Sequence, residues 1–155
     1  GSYQSKVYIF YSDGSIPTTA ATADVIITGL GAADFGRALA AGDLNADGRA
    51  DLVVGFYEDG FNDIAYLFYN DGSMPTTIYT ADVVLKGDFG SFFGHAFAVG
   101  DFNTDGKTDL AVGAERYSTN TGRAYVITTE AKTSDNREKV TARKAVKFRG
   151  PVKLR

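Results

Sequence analysis

Apolar residues come in short runs, separated by clusters of Gly, Asp, Asn, Ser and Thr, and no stretch sustains the 3.6-residue period of a helix. Runs of four to eight residues bounded by such clusters predict strands joined by turns. The aromatic run Val7-Tyr8-Ile9-Phe10-Tyr11 leads into an Asp-Gly turn and then a Val-rich run ending at Gly29. Ala65-Tyr66-Leu67-Phe68-Tyr69 does the same and ends at Gly87. Between them Phe35–Gly42, a run of small and apolar residues, passes through an acidic loop into Leu52-Val53-Val54-Gly55. Phe93–Gly100 and Leu110-Ala111-Val112-Gly113 repeat that arrangement.

The pattern is an internal repeat. Residues 8–55 align with 66–113 without a gap, and 27 of 48 positions are identical. A weaker third copy supplies Ala124-Tyr125-Val126-Ile127 and Val146-Lys147-Phe148-Arg149-Gly150. Each unit reads as four short strands, so the expected fold is all-β, with β-propeller blades of four antiparallel strands. Gly and Ala in the first strand of a unit suit the innermost position, where blades converge. Tyr and Phe in the third suit the wider gap between blades.

About two and a half blades are expected. Residues 3–29 supply the outer strands of a partial blade. One full blade covers 35–87 with its acidic loop at 43–51, and a second covers 93–150 with its loop at 101–109. Ten strands do not close a ring, and the Val7–Tyr11 strand is expected to present an open edge. The expected partners are therefore further blades in cis or identical chains in trans.

The acidic loops carry the candidate chemistry. Asp43, Asn45, Asp47 and Asp51 stand at positions 1, 3, 5 and 9 of a nine-residue loop, with Gly48 at position 6. Asp101, Asn103, Asp105 and Asp109 recur around Gly106, 58 residues on. Alternate side chains of a tight loop turn toward one point, and glycine supplies the positive φ that the turn needs. Three carboxylates and an amide aimed at one point repel one another unless a hard cation sits among them. Calcium accepts six to eight oxygens in flexible geometry, so two Ca2+ sites are expected. An EF-hand is excluded, because position 12 is Val54 or Val112 instead of Glu and the loop leads into a strand.

Composition narrows the function classes. There is no Cys, so neither a disulfide nor a thiolate metal site is possible. Residues 1–129 carry a net charge of −9 and residues 130–155 a net of +6. The acidic body argues against nucleic acid as a partner, and the basic C-terminal segment, 130–155, includes the last outer strand. No apolar run reaches the length of a membrane span, and the first residues given do not read as a signal peptide. Gly1-Ser2 reads as a cloning remnant, so the natural N-terminus is expected to lie upstream. The single histidine, His95, matches Arg37 of the first copy, which suits a lining residue better than a catalytic base. Ser91 and Ser118 have no second base to complete a triad. No enzyme is expected.

Phe35-Gly36 and Phe93-Gly94, Gly42-Asp43 and Gly100-Asp101, the acidic loops, and Val54-Gly55 and Val112-Gly113-Ala114 together resemble FG-GAP repeats. These are the blades of the integrin α-subunit propeller and of many secreted or surface proteins. The resemblance covers residues 7–129 well and 130–155 poorly. It implies calcium held by Asp43, Asn45, Asp47, Asp51 and the backbone carbonyl of Arg49. In the second loop it implies Asp101, Asn103, Asp105, Asp109 and the carbonyl of Lys107. Phe56 and Glu115 depart from the Gly-Ala-Pro that usually follows the second strand.

The expectation is thus a calcium-binding propeller segment serving as a structural or adhesion module of an extracellular or cell-surface protein, with an extracellular protein or glycan as possible ligand. A glycan-binding lectin of the same architecture is the alternative. Tyr57, Phe61 and Tyr117, with Asn62 and Asn120, are expected in the loops after the second strands, either as stacking platforms or as covers of the blade edge.

Overall fold

A computed structural model describes residues 4–14, 17–31, 34–58, 62–128 and 145–146. Within them the chain is all-β. A two-stranded sheet pairs β1 (Lys6–Ile9) with β2 (Val25–Thr28). A four-stranded sheet runs in the order β3 (Asp34–Gly42), β4 (Asp51–Glu58), β5 (Asn62–Phe68) and β6 (Val83–Lys86). A second four-stranded sheet runs β7 (Phe93–Gly100), β8 (Asp109–Ala114), β9 (Arg123–Ile127) and β10 (Ala145–Val146). Every pairing between these strands is antiparallel and joins neighbours in sequence, and an isolated parallel bridge links Thr28 to Thr77. This meander is the arrangement expected of consecutive propeller blades.

Element boundaries differ in small ways from the sequence reading. The aromatic strand at the N-terminus is Lys6–Ile9, ending before Phe10 and Tyr11. The second strand extends to Glu58 and the third starts at Asn62, so Tyr57 and Asn62 are strand residues, paired with Asp63 and Glu58. Tyr117 and Asn120 belong to a four-residue turn, α1 (Tyr117–Asn120), in which Ser118 and Thr119 take positive φ of 47° and 56°. Apolar periodicity carries no mark of so short an element, because one turn has no repeat. Phe61 lies outside the described residues, as do 147–150 of the last expected strand.

Both innermost strands carry a bulge. Phe35 pairs with Phe56 and Leu39 with Val54, so β3 spends two more residues than β4 between those pairs. Phe93/Ala114 and Phe97/Val112 repeat the irregularity in β7 and β8. Gly36 and Gly94 stand at the bulges with φ of +91° and +85°, a region that β-carbon-bearing residues avoid.

Alternation along the strands sends side chains into two clusters, one on each side of the first four-stranded sheet. Tyr66, Phe68, Val54, Phe56 and Phe35 pack with Val7 and Ile27 of the two-stranded sheet. Val53, Ala65, Leu67 and Leu44 pack with Phe93, Leu110, Val112 and Ile127 of the second four-stranded sheet. The first four-stranded sheet therefore offers large rings to the sheet before it and mostly smaller residues to the sheet after it.

Candidate metal centres

Each acidic loop joins the two innermost strands of its sheet, between Gly42 and Asp51 or between Gly100 and Asp109. The two loops lie at the same end of the molecule. Thr108 Cγ2 stands 3.2 Å from where a Cβ on Gly42 would be.

The loops are built alike, bond for bond. In the first, the Asp47 amide donates to Asp43 Oδ1 (3.0 Å) and Asn45 Oδ1 (2.9 Å), which brings both oxygens to one point. The Gly48 amide donates to Asp43 Oδ2 (2.9 Å) and the Arg49 amide to Asp47 Oδ1 (2.8 Å). Asn45 Nδ2 donates to Asp47 Oδ2 at 3.3 Å. In the second loop Asp105, Gly106, Lys107 and Asn103 make the same five bonds, at 2.8 to 3.0 Å. The local cause is the backbone. Positive φ at Ala46 and Gly48, and at Thr104 and Gly106, curls successive amides toward the acidic side chains.

Position 9 behaves differently. Asp51 and Asp109 are buried and head the second strands. Asp51 Oδ2 accepts from the Leu44 (2.8 Å) and Asn45 (3.2 Å) amides, and its Oδ1 from the Asn70 amide (2.9 Å). Burial pushes the Asp51 carboxyl above its ordinary range. The three amides pull it back down, and the charge of Asp47 adds to the rise. Asp109 Oδ2 accepts from the Phe102 amide at 3.0 Å, while its Oδ1 is buried with no hydrogen-bond partner among the described residues.

The donor set is what a hard divalent cation takes: carboxylate and amide oxygens, with no nitrogen or sulfur ligand. Asp43, Asn45 and Asp47 are brought together, as are Asp101, Asn103 and Asp105. Among the described residues no three His, Cys, Asp or Glu side chains converge as a ready ligand group, and Asp51 spends its oxygens on backbone amides. The unpartnered Asp109 Oδ1 is a buried acceptor of the kind a cation satisfies. Arg49 sends its guanidinium to within 3.8 Å of Asp47 Oδ2 at the exposed rim.

The two described aromatic candidates, Tyr57 and Tyr117, are engaged in packing. Tyr57 stands edge-on to Phe92 and His95, with ring centroids 5.4 and 5.3 Å away. The Arg123 guanidinium lies 3.4 Å from the centroid of Tyr117. The sequence reading missed a buried latch between the two larger sheets. Asp63 Oδ2 accepts from Ser91 Oγ (3.2 Å) and the Phe92 amide (2.8 Å), and Ser91 O accepts from the Arg116 amide (3.0 Å). Ser5 and Ala33 stand at the matching positions of the preceding unit. A joint change at two positions of the repeat was the one signal available.

The FG-GAP repeat family model matches residues 35–62 and 93–127. Rat integrin alpha-7 is 43% identical over 86 residues, covering 52% of this chain and 7% of that protein. Mouse integrin alpha-3 is 40% identical over 88 residues, covering 52% of this chain and 8% of that protein. Bovine phosphatidylinositol-glycan-specific phospholipase D is 41% identical over 107 residues, covering 59% of this chain and 13% of that protein. The chain thus matches only a small fraction of the length of these curated relatives. No helix among the described residues is long and apolar enough to cross a membrane. The chain thus carries one match to the FG-GAP repeat in each four-stranded sheet, residues 35–62 in the first and 93–127 in the second.

Proposed function

We propose that this chain is a calcium-stabilised propeller segment, a non-catalytic structural or adhesion module of an extracellular protein. The observation that carries the reading is that the two acidic loops share the same five hydrogen bonds among positions 1, 3, 5, 6 and 7, which supports one shared ligand-binding purpose for both. Asp43, Asn45, Asp47 and Asp51, with the Arg49 carbonyl, would hold one ion. Asp101, Asn103, Asp105 and Asp109, with the Lys107 carbonyl, would hold the other. Calcium supplies positive charge at the tip of the inner hairpin. The chain's own residues do the rest: Leu44, 1% exposed, anchors the loop in the core between sheets, and Asp51 ties the loop to Asn70 beyond β5.

The same repeat recurs in proteins named as integrins and in one named as a phospholipase D. A unit common to both favours scaffolding over chemistry as its role. Further blades, in cis or from identical chains, would cover the outer face of the second sheet. Phe102, the counterpart of buried Leu44, is 49% exposed there, which supports a missing neighbour.

Thermal unfolding with and without calcium tests the ion. Extracellular modules commonly bind calcium at roughly 10⁻⁴–10⁻³ M. A ligand at a hundred times its dissociation constant stabilises by about 2.7 kcal/mol per site. A clear rise in Tm on adding calcium at about 10 mM, reversed by chelator, is expected on that scale. An unchanged Tm would remove calcium from the reading.

A further inference from the structure

The junction between the two four-stranded sheets contains the chain's single histidine. His95 lies on β7, and its ring is packed against two others. Phe92 lies 4.5 Å away between centroids on the same segment, and Tyr57 of β4 lies 5.3 Å away across the junction. The side chain is 12% exposed, and its Nε2 is buried with no hydrogen-bond partner among the described residues. Its Nδ1 is 4.0 Å from Oε1 of Glu115, which is itself well exposed.

Four charged groups act on the ring. Arg37 of β3 and Arg116 after β8 are cationic, and Asp63 of β5 and Glu115 are anionic. Arg116 also caps the far ring, its guanidinium 4.1 Å from the Phe92 centroid. Asp63 is already committed to Ser91 and the Phe92 amide. A proton on Nε2 would therefore place a cation among aromatic rings with no acceptor at that nitrogen, a costly arrangement.

We propose that the sheet junction is a pH-sensitive seam, in which protonation of His95 under mildly acidic conditions loosens the packing of Tyr57 on β4 against His95 on β7 and Phe92 just before it. Burial, foremost, and the charge of Arg37 hold the imidazole below its ordinary value of 6.5 against the pull of Glu115 and Asp63. The sign follows from linkage. An unfolded chain takes up the proton near pH 6.5 while the folded chain resists it. The stability owed to the neutral ring is therefore complete above that pH and is lost as pH falls below it.

A lone histidine can be titrated without assignment. Proton NMR of its imidazole C–H signals from pH 8 to 5 is expected to give a midpoint below 6.5, with the ring signals of Tyr57 and Phe92 shifting along the same curve. Thermal unfolding over the same range is expected to show wild type losing Tm as pH falls, with His95→Gln flatter. His95→Arg, which copies Arg37 of the first repeat, is expected to show the lowered Tm at every pH. A midpoint at or above 6.5, or a Tm–pH curve unchanged in His95→Gln, overturns the proposal. Should His95→Gln fail to fold, the wild-type titration and the coupled Tyr57 shift decide alone.

Discussion

The Gly94 carbonyl oxygen occupies the place that a Cβ on Gly55 would take, so β4 and β7 meet backbone against backbone. The first blade of the pair can approach the second this closely only because Gly55 has no side chain, whereas a Cβ on Gly94 would meet Ile64 O at 3.1 Å. Gly113 is the counterpart of Gly55 one repeat later, and a Cβ on it would meet Ala96 Cβ at 3.5 Å, an ordinary contact.

Gly55→Ala is therefore expected to destabilise by about 1–3 kcal/mol, as overpacking against rigid backbone does. Gly113→Ala should fall within about 0.5 kcal/mol of wild type. Urea unfolding of the two variants side by side measures the contrast, and equal losses would contradict the account of the junction.

The Asp63–Ser91 latch predicts an unequal pair of losses. Asp63→Ala leaves Ser91 Oγ and the Phe92 amide without their buried acceptor, a change worth about 1.5–3 kcal/mol for bonds to a charged group. Ser91→Ala removes the Oγ bond to Asp63 and the acceptor of the Phe93 amide (3.3 Å) but leaves Asp63 with the Phe92 amide, so a smaller loss of about 1–1.5 kcal/mol is expected. Unfolding midpoints at constant m-value would check the order.

Asp51 and Asp43 separate the structural and ionic contributions of the first loop. Without calcium, Asp51→Ala should cost about 2–3 kcal/mol, because three backbone amides lose their acceptor. Asp43 serves only exposed loop amides, so Asp43→Ala should cost less than about 1 kcal/mol in chelator. In calcium the ranking is expected to narrow, since both variants forfeit the same ion. Thermal scans in chelator and in calcium would show it.

Asp43→Ala and Asp101→Ala are each expected to remove one share of the calcium-dependent rise in Tm, and the double variant all of it. Isothermal titration should count two ions for wild type and one for either single variant. A full rise in the double variant would place the ion elsewhere.

Much of the fold was legible because its determinants are local and repeated. Alternation of apolar residues, the Asp-Gly turns and a 58-residue repeat marked four strands per unit, and antiparallel neighbours need only short turns to meet. The ligand types of both loops were legible for the same reason, since nine consecutive residues contain them. The strand limits around Tyr57 and Asn62 were less legible, because a strand can run on into a turn wherever its partner continues to offer hydrogen bonds.

What the sequence settled by itself was therefore the β architecture, its repeat and the oxygen-rich loops. Which residues meet across the sheets was decided by tertiary structure alone. The commitment of Asp51 to Asn70, the Asp63–Ser91 latch, and the packing of His95 against Tyr57 all join residues far apart along the chain. Contacts between faces depend on how two twisted sheets pack at a distance of one side chain. That depends on the volumes on both surfaces at once, and no single stretch of chain contains both.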